Sequence, residues 1–205
     1  TKHYYNDVPV FVGNAYYPQF NRNVNHHEEE PMYVKYMRDE LMELVRFCEK
    51  HTGKKIDWDR LSELVDLTER TWDMFYDAYD LRKAIPTPMD TGDAMNTMVP
   101  VTFNLATQEA YDFYKNLYDE LQEKIKNKQG VAKDEKYRIV WGAGLPSWFA
   151  LGDFQYFNDR GAVFPVEVTY RNLEKIEHLD LPQTNDPLER IAWRWVRYYS
   201  HWFDA

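Results

Sequence analysis

A strand–loop–helix–strand pattern in the last third of the chain constrains the fold most. The apolar run Ile139–Trp141 ends at Gly142, a helical pattern opens near Ser147 and stops at Gly161, and a second apolar run, Ala162–Val168, follows. Strands joined by a helical crossover are parallel, and ligands bind outside the carboxyl ends of such strands. The loop after the first strand is therefore the best site candidate in the sequence.

Helical patterns fill residues 31–130 and return near the end of the chain. In the first, apolar residues from Tyr33 to Cys48 recur on one face, and His51 and Gly53 end the helix. A second begins after Asp57, which can cap the free N–H groups, and a third begins at Thr107. Asp186, followed by a proline and by a glutamate three residues on, predicts the start of a last helix.

The end of the second helix carries two cations. We expect Arg82 and Lys83 to complement the negative end of the helix dipole. Pro86 prevents the helix from continuing. A shorter helix is predicted over Gly92–Met98.

These patterns predict a mixed, helix-rich α/β fold, in which a helical middle region precedes a partial parallel, Rossmann-like domain. We expect residues 1–30, with a short strand near Val8–Val12, to end an N-terminal α/β domain. Residues 31–130 are expected to form the helical region and residues 131–205 to begin a second α/β domain. Because two parallel strands alone do not make a stable sheet, the chain is expected to be the central part of a longer polypeptide.

Composition excludes several classes of function. The formal net charge of -9 over 205 residues argues against a nucleic-acid surface, which needs clustered Lys and Arg. No apolar run reaches the length of a membrane span, so neither nucleic acid nor membrane is an expected partner. The single cysteine, Cys48, excludes an internal disulfide framework and fits a reducing, cytoplasmic location.

The loop after the first strand half-resembles a dinucleotide-binding turn. Gly142 and Gly144 let the backbone approach a ligand closely, but Ser147 replaces the third glycine and Pro146 lacks an N–H donor. Glu167, at the end of the second strand, lies where an acid that binds a ribose is found. The alternatives are a tight turn with no ligand for the loop and a surface carboxylate for Glu167, and a dinucleotide is not expected.

The remaining reactive residues have ordinary structural explanations. His26–Glu30 is expected to be a solvated charge run, because adjacent ligands on a loop seldom satisfy metal geometry. Cys48 lies on an apolar stripe and is expected to be an inert buried thiol. Ser147 lacks the GxSxG context of a nucleophile. Residue chemistry alone thus predicts an enzyme-like α/β subunit and names no reaction and no catalytic residue.

An ordered set of sequence segments indicates more about function than the single residues do. In chain order they are MRDELMELVRFCEKHTGKKIDWDRLSELV, LRKAIPTPM, ATQEAYDFYKNLYDEL, EKYRIVWGAGLPSWF and YFNDRGAVFPVEVTY. This set resembles the benzoyl-CoA reductase and 2-hydroxyacyl-CoA dehydratase family from about His3 onward. The run GAGLPSWFALGDFQYF and Pro165 resemble most the benzoyl-CoA reductase side, and within it the B-type subunits, which hold the substrate and the cluster.

The resemblance implies a cytoplasmic, multisubunit oxidoreductase of anaerobic aromatic degradation. ATP-hydrolysing partner subunits would drive electrons from reduced ferredoxin into a [4Fe–4S] cluster beside a CoA thioester. A homologous second cluster-holding subunit is a further expected partner. The ring of benzoyl-CoA would then be reduced to a cyclic dienoyl-CoA. In the dehydratase branch, a recycled electron would instead make a ketyl radical that loses water from a 2-hydroxyacyl-CoA.

The resemblance also places the substrate-binding residues. They are Gly142, Gly144, Leu145, Pro146, Ser147 and Trp148, with Glu167 at the next strand end. Family members carry cluster-ligating cysteines, and Cys48 does not match their positions, so the ligands are expected outside this chain and no metal ligand is assigned within it. A nucleotide-binding domain and a scaffold subunit without chemistry of its own are the alternatives from other classes.

Overall fold

The structure, a computed structural model, describes residues 26–141, 151–167 and 181–204. The chain divides into two compact units, of which the first comprises Thr1–Val65 with Ile176–Ala205 and the second comprises Asp66–Lys175. The predicted domain boundaries stay a prediction, and the predicted strand at Val8–Val12 lies outside the described residues. In chain order the elements are α1 (His26–Thr52), α2 (Trp58–Asp80), a 3₁₀ helix (Leu81–Lys83), α3 (Thr91–Asn96), α4 (Val99–Phe103), α5 (Gln108–Lys126), β1 (Tyr137–Trp141), α6 (Leu151–Asn158), β2 (Ala162–Glu167) and α7 (Pro187–Asp204).

In the first unit, α1 packs against α7. Val34 of α1 and Trp193 of α7 belong to one buried apolar cluster. Asp186 begins α7 as predicted: its Oδ1 accepts hydrogen bonds from the backbone N–H groups of Leu188 at 2.9 Å and Glu189 at 3.3 Å. The other carboxylate oxygen accepts from Nε of Arg38 at 3.0 Å, so one side chain both caps α7 and ties it to α1.

Two expectations about α1 are wrong. The segment His26–Glu30 is helical rather than a loop, so α1 begins before residue 31, where the helical region was predicted to begin. Cys48 is exposed rather than buried. The α1 residues that pack in the cluster with α7 end at Met37, and Cys48 lies about three turns farther along the helix. Among the described residues, therefore, no partner covers this part of the apolar stripe.

Helix starts were predicted well. Oδ1 of Asp57 accepts from the backbone N–H of Arg60 at 2.9 Å at the start of α2. Oγ1 of Thr107 accepts from the backbone N–H of Ala110 at 3.2 Å at the start of α5. The predicted short helix is α3, which begins one residue early and ends before Thr97.

The core of the second unit is aromatic. The buried ring of Tyr114 on α5 lies edge-on to Phe75 of α2, with ring centroids 5.2 Å apart. The Tyr114 hydroxyl donates to the carbonyl of Thr97 at 2.6 Å and accepts from the N–H of Val101 at 3.0 Å. These bonds satisfy the buried hydroxyl and fix α5 to the α3–α4 segment.

The strand–loop–helix–strand prediction is confirmed: β1 and β2 are parallel neighbours, and α6 lies between them in the chain. Their register pairs Tyr137 with Ala162 at one end and Trp141 with Glu167 at the other. Gly161 precedes β2 with φ +83°, a conformation that glycine adopts without strain. The described residues thus show a helix-rich, mixed α/β fold with a small parallel sheet, and the Rossmann-like domain stays a prediction. None of the helices within these ranges combines the length and the apolar character needed to cross a bilayer.

Candidate active site at the carboxyl end of the sheet

The two strands end side by side, because Trp141 and Glu167 are the last residues of β1 and β2 and pair in register. Of the predicted site residues, the structure describes Glu167 only. The others lie outside the described residues: Gly142, Gly144, Leu145, Pro146, Ser147 and Trp148. Their chain segment begins immediately after β1 ends.

Glu167 forms a buried, bidentate ion pair with Arg82. Nη1 of Arg82 donates to Oε1 of Glu167 at 3.0 Å, and Nη2 donates to Oε2 at 2.6 Å. The two side chains are 3% and 1% exposed. The surface-carboxylate alternative for Glu167 is therefore wrong. Arg82, which we expected to complement the helix dipole, is also buried and paired with Glu167.

Thr91 completes this cluster. Its hydroxyl lies 2.8 Å from the carbonyl oxygen of Phe164 and 2.9 Å from Oε2 of Glu167, and it accepts from Nη2 of Arg82 at 3.1 Å. Nη2 also donates to the carbonyl of Phe164 at 3.2 Å. The guanidinium lies 5.1 Å from the centre of the Tyr79 ring, within cation–π range. The end of β2 is thus held by side chains from two other elements, the 3₁₀ helix and α3.

Two groups with a raised pKa flank α3. Burial raises the pKa of the Tyr79 phenol, which remains a neutral donor to the carbonyl of Ala94 at 2.7 Å. Burial likewise raises the pKa of the Asp90 carboxyl, which caps α3 by accepting from the N–H of Gly92 at 3.0 Å. Desolvation of this carboxyl disfavours its charged form, and hydrogen bonds from Asn158, Gly92 and Asp93 oppose that effect only in part.

An aromatic layer lies beside the cluster. The ring of Phe164 on β2 has its centroid 5.9 Å from Trp141, 5.2 Å from Phe154 and 5.3 Å from Phe157. Its contacts with Phe154 and Phe157 pack α6 on the sheet. Gly92 is also close-packed here, since a Cβ at that position would lie 3.0 Å from the Phe154 ring. The ends of the strands therefore lie beside a layer of packed aromatic rings.

The described residues do not fit an iron–sulfur cluster. No group of three or more His, Cys, Asp or Glu among them is placed to hold a metal ion. A [4Fe–4S] cluster needs several thiolates, and Cys48, the single cysteine of the chain, is exposed on α1 in the first unit. No ligand is therefore assigned in this part of the molecule.

Sequence reasoning missed Arg82 and Thr91. Each lies at a helix end, where a polar residue has an ordinary local explanation. The partner of Arg82 is 85 positions away, and hydrophobic periodicity carries no information about such a pairing. A visible signal was that β2, an otherwise apolar strand, ends in a carboxylate: a strand buried on both faces must pair such a group.

Comparison with known proteins places the chain in a family. The family described as 2-hydroxyglutaryl-CoA dehydratase, D-component, matches residues 1–203. The (R)-2-hydroxyglutaryl-CoA dehydratase alpha subunit of Acidaminococcus fermentans is 26% identical over 92% of the chain and 40% of its own length. A benzoyl-CoA reductase subunit of Thauera aromatica is 29% identical over 73% of the chain and 37% of its own length.

The (R)-phenyllactyl-CoA dehydratase alpha subunit of Clostridium sporogenes is 27% identical over 56% of the chain and 28% of its own length. The matches thus span two fifths or less of each of these relatives. They confirm the resemblance predicted from the ordered segments. The chain belongs to the 2-hydroxyglutaryl-CoA dehydratase D-component family, whose members related to it include dehydratase alpha subunits and a benzoyl-CoA reductase subunit.

Proposed function

We propose that this chain is part of a subunit that holds an acyl-CoA thioester in a multisubunit reductase or dehydratase. The observation that carries the proposal is the family match over residues 1–203. The three relatives are all subunits of enzymes that act on CoA thioesters. A parallel crossover with paired strand ends is also a common setting for a ligand site in α/β proteins.

Within that class, we propose reduction of benzoyl-CoA to a cyclic dienoyl-CoA. Support comes from the segment GAGLPSWFALGDFQYF and from the 29% identity to the Thauera benzoyl-CoA reductase subunit. The family resemblance implies that ferredoxin and ATP-hydrolysing partner subunits supply the electrons through an iron–sulfur cluster. The described residues offer no ligand for that cluster, and no electron-transfer step is assigned to them.

Dehydration of a 2-hydroxyacyl-CoA is the second candidate. The alpha subunit of the Acidaminococcus dehydratase matches 92% of the chain, a larger share than the reductase subunit matches. The thioester is common to both reactions. The two candidates therefore differ in the acyl group that the site accepts.

The proposed substrate-binding loop follows β1. Its residues are Gly142, Gly144, Leu145, Pro146, Ser147 and Trp148, with Glu167 at the neighbouring strand end. Glycines let backbone N–H groups approach a ligand, and an indole adds a flat apolar contact for an aryl group. Both oxygens of Glu167 already accept hydrogen bonds from Arg82. The proposed role of Glu167 is therefore to keep the end of β2 polar and in a fixed position.

The test is an assay of the complete complex, supplied with ATP and reduced ferredoxin, on benzoyl-CoA and on a 2-hydroxyacyl-CoA. We expect ATP-dependent formation of a dienoyl-CoA from benzoyl-CoA. Dehydration with no ring reduction selects the second candidate. Turnover of neither thioester contradicts the proposed function.

Replacing the indole tests the loop. We expect Trp148→Ala to lower kcat/KM for the thioester by about tenfold or more, because a binding contact on the acyl group is lost. Steady-state kinetics of the complete complex measure the effect. Trp58→Ala, which removes a partly exposed indole at the start of α2, is the matched control and leaves kcat/KM unchanged. Equal kinetics for both variants and the wild type count against the loop.

A further inference from the structure

The cluster at the end of β2 links parts of the chain that are distant in sequence. Arg82 comes from the 3₁₀ helix after α2, Thr91 begins α3, and Glu167 ends β2. Between them, Arg82 and Thr91 bind both carboxylate oxygens of Glu167 and the carbonyl oxygen of Phe164. Side-chain donors thus hold both the last side chain and a backbone carbonyl of the strand.

We propose that Arg82 is a positioning residue, which acts through Glu167 and Thr91 to fix the carboxyl end of the sheet for thioester chemistry. This inference rests on the proposed function. Glu167 pairs in register with Trp141, so a displacement of the β2 end displaces the β1 end as well. Reaction rates are sensitive to such shifts, because a misplacement of about 1 Å can cost about a hundredfold.

Stability alone does not account for this pair. Removing two charges from water costs more than packing apolar residues of similar volume, and replacement of a buried pair by such residues is often neutral or stabilising. Nε of Arg82 is also buried without a hydrogen-bond partner among the described residues, which adds to the cost. The ion pair orients the end of β2 in a way that an apolar contact cannot. Its two parallel hydrogen bonds fix the angle between the planar guanidinium and the planar carboxylate.

The decisive variant is Arg82→Met with Glu167→Leu, which keeps side chains of similar volume and removes the bidentate ion pair. It is compared in the complete complex with the wild type by thermal unfolding and by steady-state kinetics on the thioester that the wild type converts. We expect an unfolding midpoint within a few degrees of the wild type, a kcat lowered about tenfold or more, and a KM changed less than about twofold. A merely structural role moves the midpoint and the yield of complex and leaves kcat per folded complex unchanged.

The matched control is Lys115→Met with Asp119→Leu, which removes an exposed ion pair on α5. We expect wild-type kcat and KM for it. Thr91→Val is a second, milder test, because it removes one hydroxyl and leaves the Arg82–Glu167 pair in place. It is expected to lower kcat about threefold at an unchanged midpoint, and it decides the matter if the double variant does not assemble.

The outcomes separate the two proposals. Wild-type kcat in the Arg82/Glu167 variant, or in Thr91→Val where that variant decides, overturns the positioning role and leaves the proposed function standing. A wild-type complex that converts neither benzoyl-CoA nor a 2-hydroxyacyl-CoA ends both. A lowered kcat with an unchanged midpoint, confined to the cluster variants, supports both.

Discussion

The two strands of the sheet are neighbours with similar apolar sequences and opposite surroundings. On β2, Val163 is 0% exposed and Glu167 is 1% exposed. On β1, Tyr137 is 63% exposed and Val140 is 60% exposed. Among the described elements, the difference comes from the layers around the strands: α3, α6 and the 3₁₀ helix all pack against β2, whereas β1 packs mainly on β2. Apolar runs therefore predict strands, but the burial of a strand depends on elements distant in sequence.

The largest expected effect on the contrast between the two strands comes from breaking the Arg82–Glu167 ion pair on the buried strand. Arg82→Ala leaves Glu167 buried and unpaired, and we expect the free energy of unfolding to fall by about 3 to 5 kcal/mol. Urea unfolding of the chain, followed by tryptophan fluorescence, measures it. Lys115→Ala in the exposed pair on α5 is the control and gives no measurable change. An equal loss of unfolding free energy in the two variants would show that the buried pair contributes no more to stability than the exposed pair.

The same deletion on each strand compares their burial directly. Val163→Ala removes fully buried methyl groups from β2, and we expect it to lower the free energy of unfolding by about 2 kcal/mol. Val140→Ala on exposed β1 is expected to cost less than about 0.5 kcal/mol. Both variants lose the same β-branched side chain, so the difference between them reports burial. Equal losses in urea unfolding would contradict the contrast.

The smallest expected effect is a gain from Asp90→Asn, in the layer that covers β2. Burial raises the pKa of Asp90, because desolvation disfavours the charged form of the carboxyl. The stability that follows is complete below the unfolded pKa and is lost as pH rises through the folded pKa. An amide keeps the cap without a charge, and we expect the variant to be more stable near neutral pH by about 1 kcal/mol.

Unfolding of the Asp90→Asn variant and the wild type is compared at about pH 4 and about pH 8. The advantage of the variant should grow toward the higher pH. A constant difference at both pH values would mean that Asp90 ionises as freely in the folded state as in the unfolded state.

Local signals determined what the sequence predicted correctly. The caps at Asp57, Thr107 and Asp186 depend on residues within one helical turn, and the crossover β1–α6–β2 depends on apolar runs and on Gly161. These features fold as predicted because their partners are neighbours in the chain.

Long-range pairing accounts for what the sequence did not predict. Arg82 was assigned to a helix dipole and Glu167 to a ligand or to the surface, and each instead neutralises the other. Cys48 followed the apolar stripe of α1 but lies beyond the residues that α7 covers. Periodicity indicates which face of a helix is apolar, and it does not indicate how far a partner extends along that face.

Photoaffinity labelling of the complete complex tests the central claim most directly. The probe is a benzoyl-CoA analogue with a photoreactive aryl group, and peptide mass spectrometry locates the label. The account predicts labelling within Gly142–Trp148 that excess benzoyl-CoA suppresses. Labelling confined to other segments, such as α1 or α5, or insensitive to excess benzoyl-CoA, would contradict the claim that the carboxyl end of this sheet faces the thioester.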